Sequence, residues 1–203
     1  MRKQGGELSG MVKSDIVKSG IVKSGMAKSG MEESGMEQAG SGQFFVHPIP
    51  PLFDQNCKIL ILGSFPSVKS REAGFFYGHA QNRFWKVVSA VFQEEVPATI
   101  SEKKAMLLRN HVALWDVIRS CDIVGSSDAS IKNVETNDLR IILDHAPIEA
   151  IYVNGRTAFK YYQKYTEPVI KRSAVCLPST SPANAAWKAE RLVEAWKCIR
   201  ELS

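Results

Sequence analysis

Four short apolar runs, each closed by a turn-forming or small polar residue, set the strongest limit on how this chain can fold. They lie at 58–63, 112–116, 150–154 and 174–178. Their apolar content is continuous rather than alternating, as expected of strands covered on both faces in a parallel sheet. Helical patterns fill the intervals at 83–92, 101–109, 136–145, 157–165 and 186–202. Strands alternating with helices require crossover connections, so the expected class is α/β, a three-layer α/β/α sandwich with a central four-stranded parallel sheet. In such sheets ligands bind outside the carboxyl ends of the strands. The segments after the first and last runs, 63–85 and 177–184, are therefore expected to line one crevice.

The rest of the 203 residues divides unevenly. Residues 11–40 repeat a five-residue unit, as in Ile16-Val17-Lys18-Ser19-Gly20 and Met26-Ala27-Lys28-Ser29-Gly30. A glycine every fifth residue fits neither helix nor strand periodicity, and each unit holds too little apolar surface to bury. Residues 1–43 are thus expected to be a disordered low-complexity tail, and 44–203 the folded domain. A weakly basic arm that touches DNA is the functional alternative to a segment without a role. Prolines among the aromatics of 44–53 preclude a helix there, so an extended lead-in is expected.

Six Lys/Arg and five Asp/Glu precede Phe44, leaving +4 of the formal charge of +5 on the rest of the chain. An excess of that size admits a polyanionic partner without requiring one. Cys57, Cys121, Cys176 and Cys198 form no C-x-x-C pair, and the expectation is buried thiols without disulfides or an iron–sulfur cluster. No apolar run is long enough to span a bilayer and no signal peptide is evident. The expectation is a soluble monomer without a membrane partner, in a reducing compartment: the bacterial cytoplasm by default, or the nucleus in a eukaryote.

Common enzyme templates do not fit. His47, His79, His111 and His145 lack the spacing and carboxylate partners of a zinc site, so no metal and no cofactor are expected. Gly63-Ser64-Phe65-Pro66-Ser67 lacks the second glycine and the Lys-Ser/Thr of a phosphate-binding P-loop, and no G-x-S-x-G elbow is present. What remains is a set of small polar loops with Phe65, Phe75, Phe76, Tyr77, Phe84 and Trp85. Aromatic faces beside amides suit an extruded nucleobase. Core packing is the alternative; it is preferred for Phe84 and Trp85 within a helical stretch, and for Phe65 and Tyr77 both readings stand. The helical spacing of Leu192, Ala195, Trp196 and Ile199 makes Trp196 a core residue.

Five motifs in order carry a resemblance that runs from about Cys57 to the C-terminus: Leu62-Gly-Ser-Phe-Pro-Ser67, Tyr77-Gly-His-Ala-Gln-Asn-Arg-Phe-Trp85, Leu114-Trp-Asp-Val117, Val153-Asn-Gly155 and Pro178-Ser-Thr-Ser-Pro-Ala-Asn184. With these the chain resembles the uracil-DNA glycosylase superfamily, most closely its hypoxanthine-DNA (DNA-deoxyinosine) glycosylase branch. The resemblance implies base excision repair: metal-free hydrolysis of the N-glycosidic bond of a flipped, deaminated base in double- or single-stranded DNA, leaving an abasic site. Where other branches place a water-positioning Asp or Asn, this chain has Phe65. The resemblance moves the catalytic role to Asn82, whose alternative is the N-cap of the following helix. It implies base contacts at Phe65, Tyr77, Asp116 and Ser179, and DNA contacts at Ser64, Ser67, Ser181 and Asn184, for which ordinary turn chemistry is the alternative. For Asp116 the structural alternative is a carboxylate accepting bonds from loop amides. Ser179 stands where relatives have a histidine, and Ala183 where they have a wedge leucine. No lysine lies in the matched motifs, so no Schiff-base lyase step is expected. A uracil- or mismatch-preferring enzyme of the same fold and a catalytically silent nucleic-acid-binding module are the rival readings.

Overall fold

The computed structural model describes residues 42–201. The expected tail, 1–43, lies almost wholly outside the described residues.

All four predicted strands form. They are β2 (Ile59–Gly63), β3 (Val112–Asp116), β6 (Ala150–Asn154) and β7 (Val175–Leu177), arranged in the order β3-β2-β6-β7. Every neighbouring pair is parallel. Each residue of β2 and β3 is buried, which explains their continuous apolar sequence. Because β3 and β6 flank β2 on opposite sides, the connections diverge at the carboxyl end of β2. That divergence opens the crevice expected of an open α/β sheet.

The helices keep their predicted places with altered limits. Helix α2 (Phe84–Phe92) buries Phe84, Val87, Val88 and Val91 at helical spacing. Helix α3 (Ile100–Arg109) starts one residue before the predicted position. Its cap is Thr99, whose side chain accepts from Glu102 N while Glu102 reaches back to the Thr99 backbone. Such a reciprocal cap satisfies two otherwise orphaned donors. The helix predicted at 136–145 shrinks to α4 (Arg140–Leu143). Thr136 instead ends a strand, and the buried Asn137 donates from Nδ2 to the carbonyls of Asp116 and Ile118. Helix α5 (Arg156–Tyr161) widens into a π-turn at Tyr162–Thr166 before α6 (Glu167–Ile170). Helix α7 (Ala189–Trp196) tightens at Lys197–Arg200, and Trp196 is fully buried, as its spacing predicts.

A second sheet was not legible in the sequence. Strands β1 (Gln43–Val46), β4 (Ile118–Ile123) and β5 (Lys132–Thr136) pair antiparallel in the order β1-β4-β5. β1 and β5 are largely solvent-facing; β1 gains its partner, β4, from distant sequence, whereas β5 pairs with β4 as the next strand along the chain. The four cysteines are free; Cys57 and Cys121 are buried, whereas Cys176 and Cys198 are only half-buried. Burial pushes the Cys57 and Cys121 thiols up to about 11.

Candidate active site

The carboxyl ends of the four parallel strands each deliver one part of a crevice. Gly63 leads to Ser64, Phe65 and Ser67; β3 ends in Asp116; β6 ends in Asn154; and β7 leads to Ser179 and Ser181. Tyr77 and Asn82 complete the lining from the segment before α2. Of the predicted site residues only Asn184 does not line it.

Asn82 is part of the crevice wall and stands one residue before the N-cap of α2, which is Arg83, so it is not itself the N-cap. Its Oδ1 accepts from the Phe84 backbone N–H at 3.0 Å and from the Thr180 hydroxyl at 2.9 Å. The Phe84 donor settles which end of the amide is oxygen, because a backbone N–H cannot face an NH2 group. Thr180 is fully buried; it accepts from Asn154 Nδ2 at 2.9 Å, and its N–H donates to Asn154 Oδ1 at 3.0 Å. Asn154, Thr180 and Asn82 thus form one relay joining β6, the last loop and α2. The Asn82 oxygen is spent in that relay, which leaves its NH2 group as the end available to a ligand.

Arg83 holds the last loop. Its guanidinium donates to the carbonyls of Thr180 at 3.2 Å, Ser181 at 2.6 Å and Asn184 at 3.1 Å, and to that of Trp187. A planar fork with five donors is suited to gathering several carbonyls in this way. The remaining residues of the motif also have packing duties. Phe84 stacks on Tyr77 with centroids 3.9 Å apart, and Trp85 donates from Nε1 to Phe76 O. Core packing therefore holds for Phe84 and Trp85. Phe65 is nearly buried, yet it lines the crevice.

Asp116 is 4% exposed, and its Oδ2 accepts from His47 Nε2 at 2.7 Å. This corrects the expectation that no histidine has a carboxylate partner. The pairing spans 69 positions, so spacing within the sequence carries no trace of it. A second carboxylate, Asp128 in the β4–β5 connection, also lines the crevice and accepts from the Ser64 hydroxyl at 3.1 Å. Asp128 is an exposed residue at the crevice; desolvation raises its pKa, the Ser64 and Thr157 hydroxyls lower it, and Asp116 raises it further. The Tyr77 hydroxyl is buried without a hydrogen-bond partner, its pKa raised first by burial and then by Asp116. Asn154 acts on it in the opposite sense: one of the two hydrogens on its Nδ2 goes to Thr180, and the other is not used there.

The serines and Asn184 serve their loops. Ser67 caps α1 (Val68–Ala73) by accepting from Ser70 N, Ser179 Oγ accepts from Ser181 N, and Asn184 Nδ2 donates to Ser179 O. Gly155, at φ 97°, lies so close to Ser179 that a Cβ would stand 2.8 Å from that side chain's own Cβ. Among the described residues no basic side chain lines the crevice; its formal charges there are the carboxylates of Asp116 and Asp128. Such a lining favours a developing cation over an anion.

Residues 50–203 match the family model described as the uracil DNA glycosylase superfamily. The chain belongs to the uracil DNA glycosylase superfamily. Within that superfamily it is 34% identical over 155 residues to a hypoxanthine DNA glycosylase of Methanosarcina acetivorans, covering 74% of this chain and 94% of that protein. It is 33% identical over 124 residues to one of Methanosarcina barkeri, covering 60% of this chain and 75% of that protein. The solution NMR structure of a uracil DNA glycosylase candidate from Methanosarcina acetivorans superposes with a TM-score of 0.67 at 31% identity, covering 79% of this chain and 99% of that one. His47 lies outside the superfamily match. Thr180, Asn154 and Arg83 lie within quoted motifs, but their roles become visible only when the loops meet.

Proposed function

We propose that this chain is a monofunctional DNA glycosylase that hydrolyses the N-glycosidic bond of a deaminated base, hypoxanthine foremost, and leaves an abasic site in DNA. The observation that carries this reading is the relay ending at Asn82, which fixes a donor group within a crevice whose charged members are carboxylates. The relatives named hypoxanthine DNA glycosylase supply the base. In this reading Asn82 is the catalytic residue that orients the attacking water, donating through Nδ2 to the water oxygen. An NH2 group accepts no proton, so Asn82 positions the nucleophile and is not its base.

The water oxygen bonds to C1′, the C1′–N bond breaks, and its electron pair leaves with the base. The proton released by water passes to Asp128, whose raised pKa suits that task. As the bond loosens the sugar becomes cationic, and the same carboxylate stabilises it electrostatically. Asp116 accepts from the N–H on the edge of the base, with Phe65, Tyr77 and Ser179 around it. Ser64, Ser67 and Ser181 at the rim meet the DNA backbone, which positions without specifying sequence. Asn184 contributes to that contact through the loop it closes. One chain completes the crevice, which supports a monomer as the working unit.

The test is incubation of the purified protein with oligonucleotides bearing one hypoxanthine, uracil or xanthine, followed by alkaline cleavage of abasic sites. Strand cleavage at hypoxanthine is the expected result. Retained binding without cleavage of any substrate would favour a silent binding module.

A further inference from the structure

The His47–Asp116 pair is built with more care than a core contact needs. His47 Nδ1 accepts from the Ile49 N–H, so the ring proton sits on Nε2 and points at Asp116 Oδ2. The two side chains are 2% and 6% exposed. Phe65 and Trp115 meet the imidazole edge-on, with Phe76 tilted beside it. Trp115 Nε1 donates to Ile49 O, and Leu52 bridges to Leu114, so residues 47–52 are strapped along β3. These contacts hold the segment, and with it the histidine, beside Asp116.

One oxygen of Asp116 is consumed by His47, and the other lies against Gly63. A Cβ at Gly63 would stand 2.1 Å from Asp116 Oδ1 and 3.1 Å from the Tyr77 hydroxyl, so both polar atoms converge on the same spot at the crevice floor. Tyr77 is held there at φ 52°, its ring stacked on Phe84 and its buried hydroxyl unpartnered. A buried hydroxyl without a partner carries a desolvation cost that a ligand's acceptor removes.

We propose that His47 is a positioning residue for base recognition: by occupying one oxygen of Asp116 it turns the other, beside the Tyr77 hydroxyl, into an acceptor–donor pair for the lactam edge of a flipped base. The proposal rests on the reading of Asp116 as a base contact. Hypoxanthine, uracil and xanthine all present a ring N–H next to a carbonyl. Adenine and cytosine present a ring nitrogen lone pair next to an amino group, which sets a lone pair against the carboxylate. A site built for a specific hydrogen-bond pattern rejects bases that leave its buried groups unpaired.

The test measures affinity, by fluorescence anisotropy, for duplexes with one 2′-fluoro nucleotide carrying either hypoxanthine or unsubstituted purine, which lacks the lactam. The fluorine suppresses cleavage, so binding is read without turnover. Wild-type protein is expected to favour hypoxanthine by on the order of tenfold to a hundredfold, the worth of one or two bonds to charged or buried groups. Y77F and H47F should lose most of that ratio with affinity for the purine duplex retained, and H47Q, which keeps a donor, should restore much of it. Y77F removes only a hydroxyl that donates to no group in the protein, so its result stands even where H47F fails to fold. A wild-type protein without preference, or ratios unchanged in Y77F, or equal losses on both duplexes, overturns the proposal. Intact binding selectivity without cleavage of the unfluorinated hypoxanthine duplex would instead overturn the proposed glycosylase activity.

Discussion

The wall of the crevice built from residues 63–92 and the wall built from 177–187 meet at one relay, yet different forces hold them. Phe84, Trp85, Val87, Val88 and Phe75 bury the first wall in the core, with Tyr77 stacked on Phe84 and Trp196 edge-on at 5.8 Å. The second follows β7, a strand of three residues, and most of its side chains are small and partly exposed. It is held by Arg83, by the Asn154–Thr180 bonds and by Trp196 Nε1 donating to Pro178 O. The difference teaches that the motif Asn82-Arg83-Phe84-Trp85 is a joint: two residues fasten the polar wall and two anchor it to the apolar one.

The sharpest way to break this comparison is Phe84→Ala. It should cost about 3–5 kcal/mol, the usual loss for a fully buried phenylalanine. A thermal melt checks it, and a shift of only a degree or two would mean that rings do not anchor the first wall. Next, Asn82→Ala should lower the glycosylase rate by on the order of 10²- to 10³-fold. Its stability cost should be about 1–3 kcal/mol, because the buried Thr180 hydroxyl loses its acceptor together with the Phe84 N–H. Single-turnover rates alongside denaturant titration separate the two; a wild-type rate would remove Asn82 from the chemistry.

Arg83→Ala should cost about 3 kcal/mol, because carbonyls gathered by one cation lose it together. Limited proteolysis should then cut within 178–187 first, and an uncut loop would show that the second wall stands without its clasp. Arg83→Lys should rescue little, since a point charge cannot match the fork. The smallest effect belongs to Thr180→Val, about 1–2 kcal/mol from one broken relay. It should also slow hydrolysis about tenfold by loosening Asn82, a 1.4 kcal/mol effect on the barrier. A rate unchanged by Thr180→Val would show that the relay is structural only.

The parallel sheet was legible because burial on both faces leaves a local mark, as in Ile59-Leu60-Ile61-Leu62. β5, Lys132-Asn133-Val134-Glu135-Thr136, leaves little: it places one apolar side chain, Val134, against the core, and its pairing comes from β4. For the same reason the predicted helix at 136–145 lost its first residues to a strand and to the buried Asn137. The site followed the same rule. Phe65, Tyr77, Asn82, Asp116 and Ser179 could be named because they sit in contiguous motifs that carry the family resemblance, after a strand end or just before α2. His47, Asp128 and the clasp of Arg83 could not, because each acts on a residue tens of positions away.

By itself the sequence determined the strand order of events along the chain: which runs are buried, where turns interrupt them, and which loops reach the carboxyl edge of the sheet. Those are consequences of local apolar patterning and turn chemistry. Only the tertiary structure decided that the Asn82 oxygen is already engaged, that His47 claims one side of Asp116, and that the Tyr77 hydroxyl waits without a partner. Hydrogen-bond direction in a buried network depends on which groups are brought within about 3 Å of one another, and no local pattern records that distance.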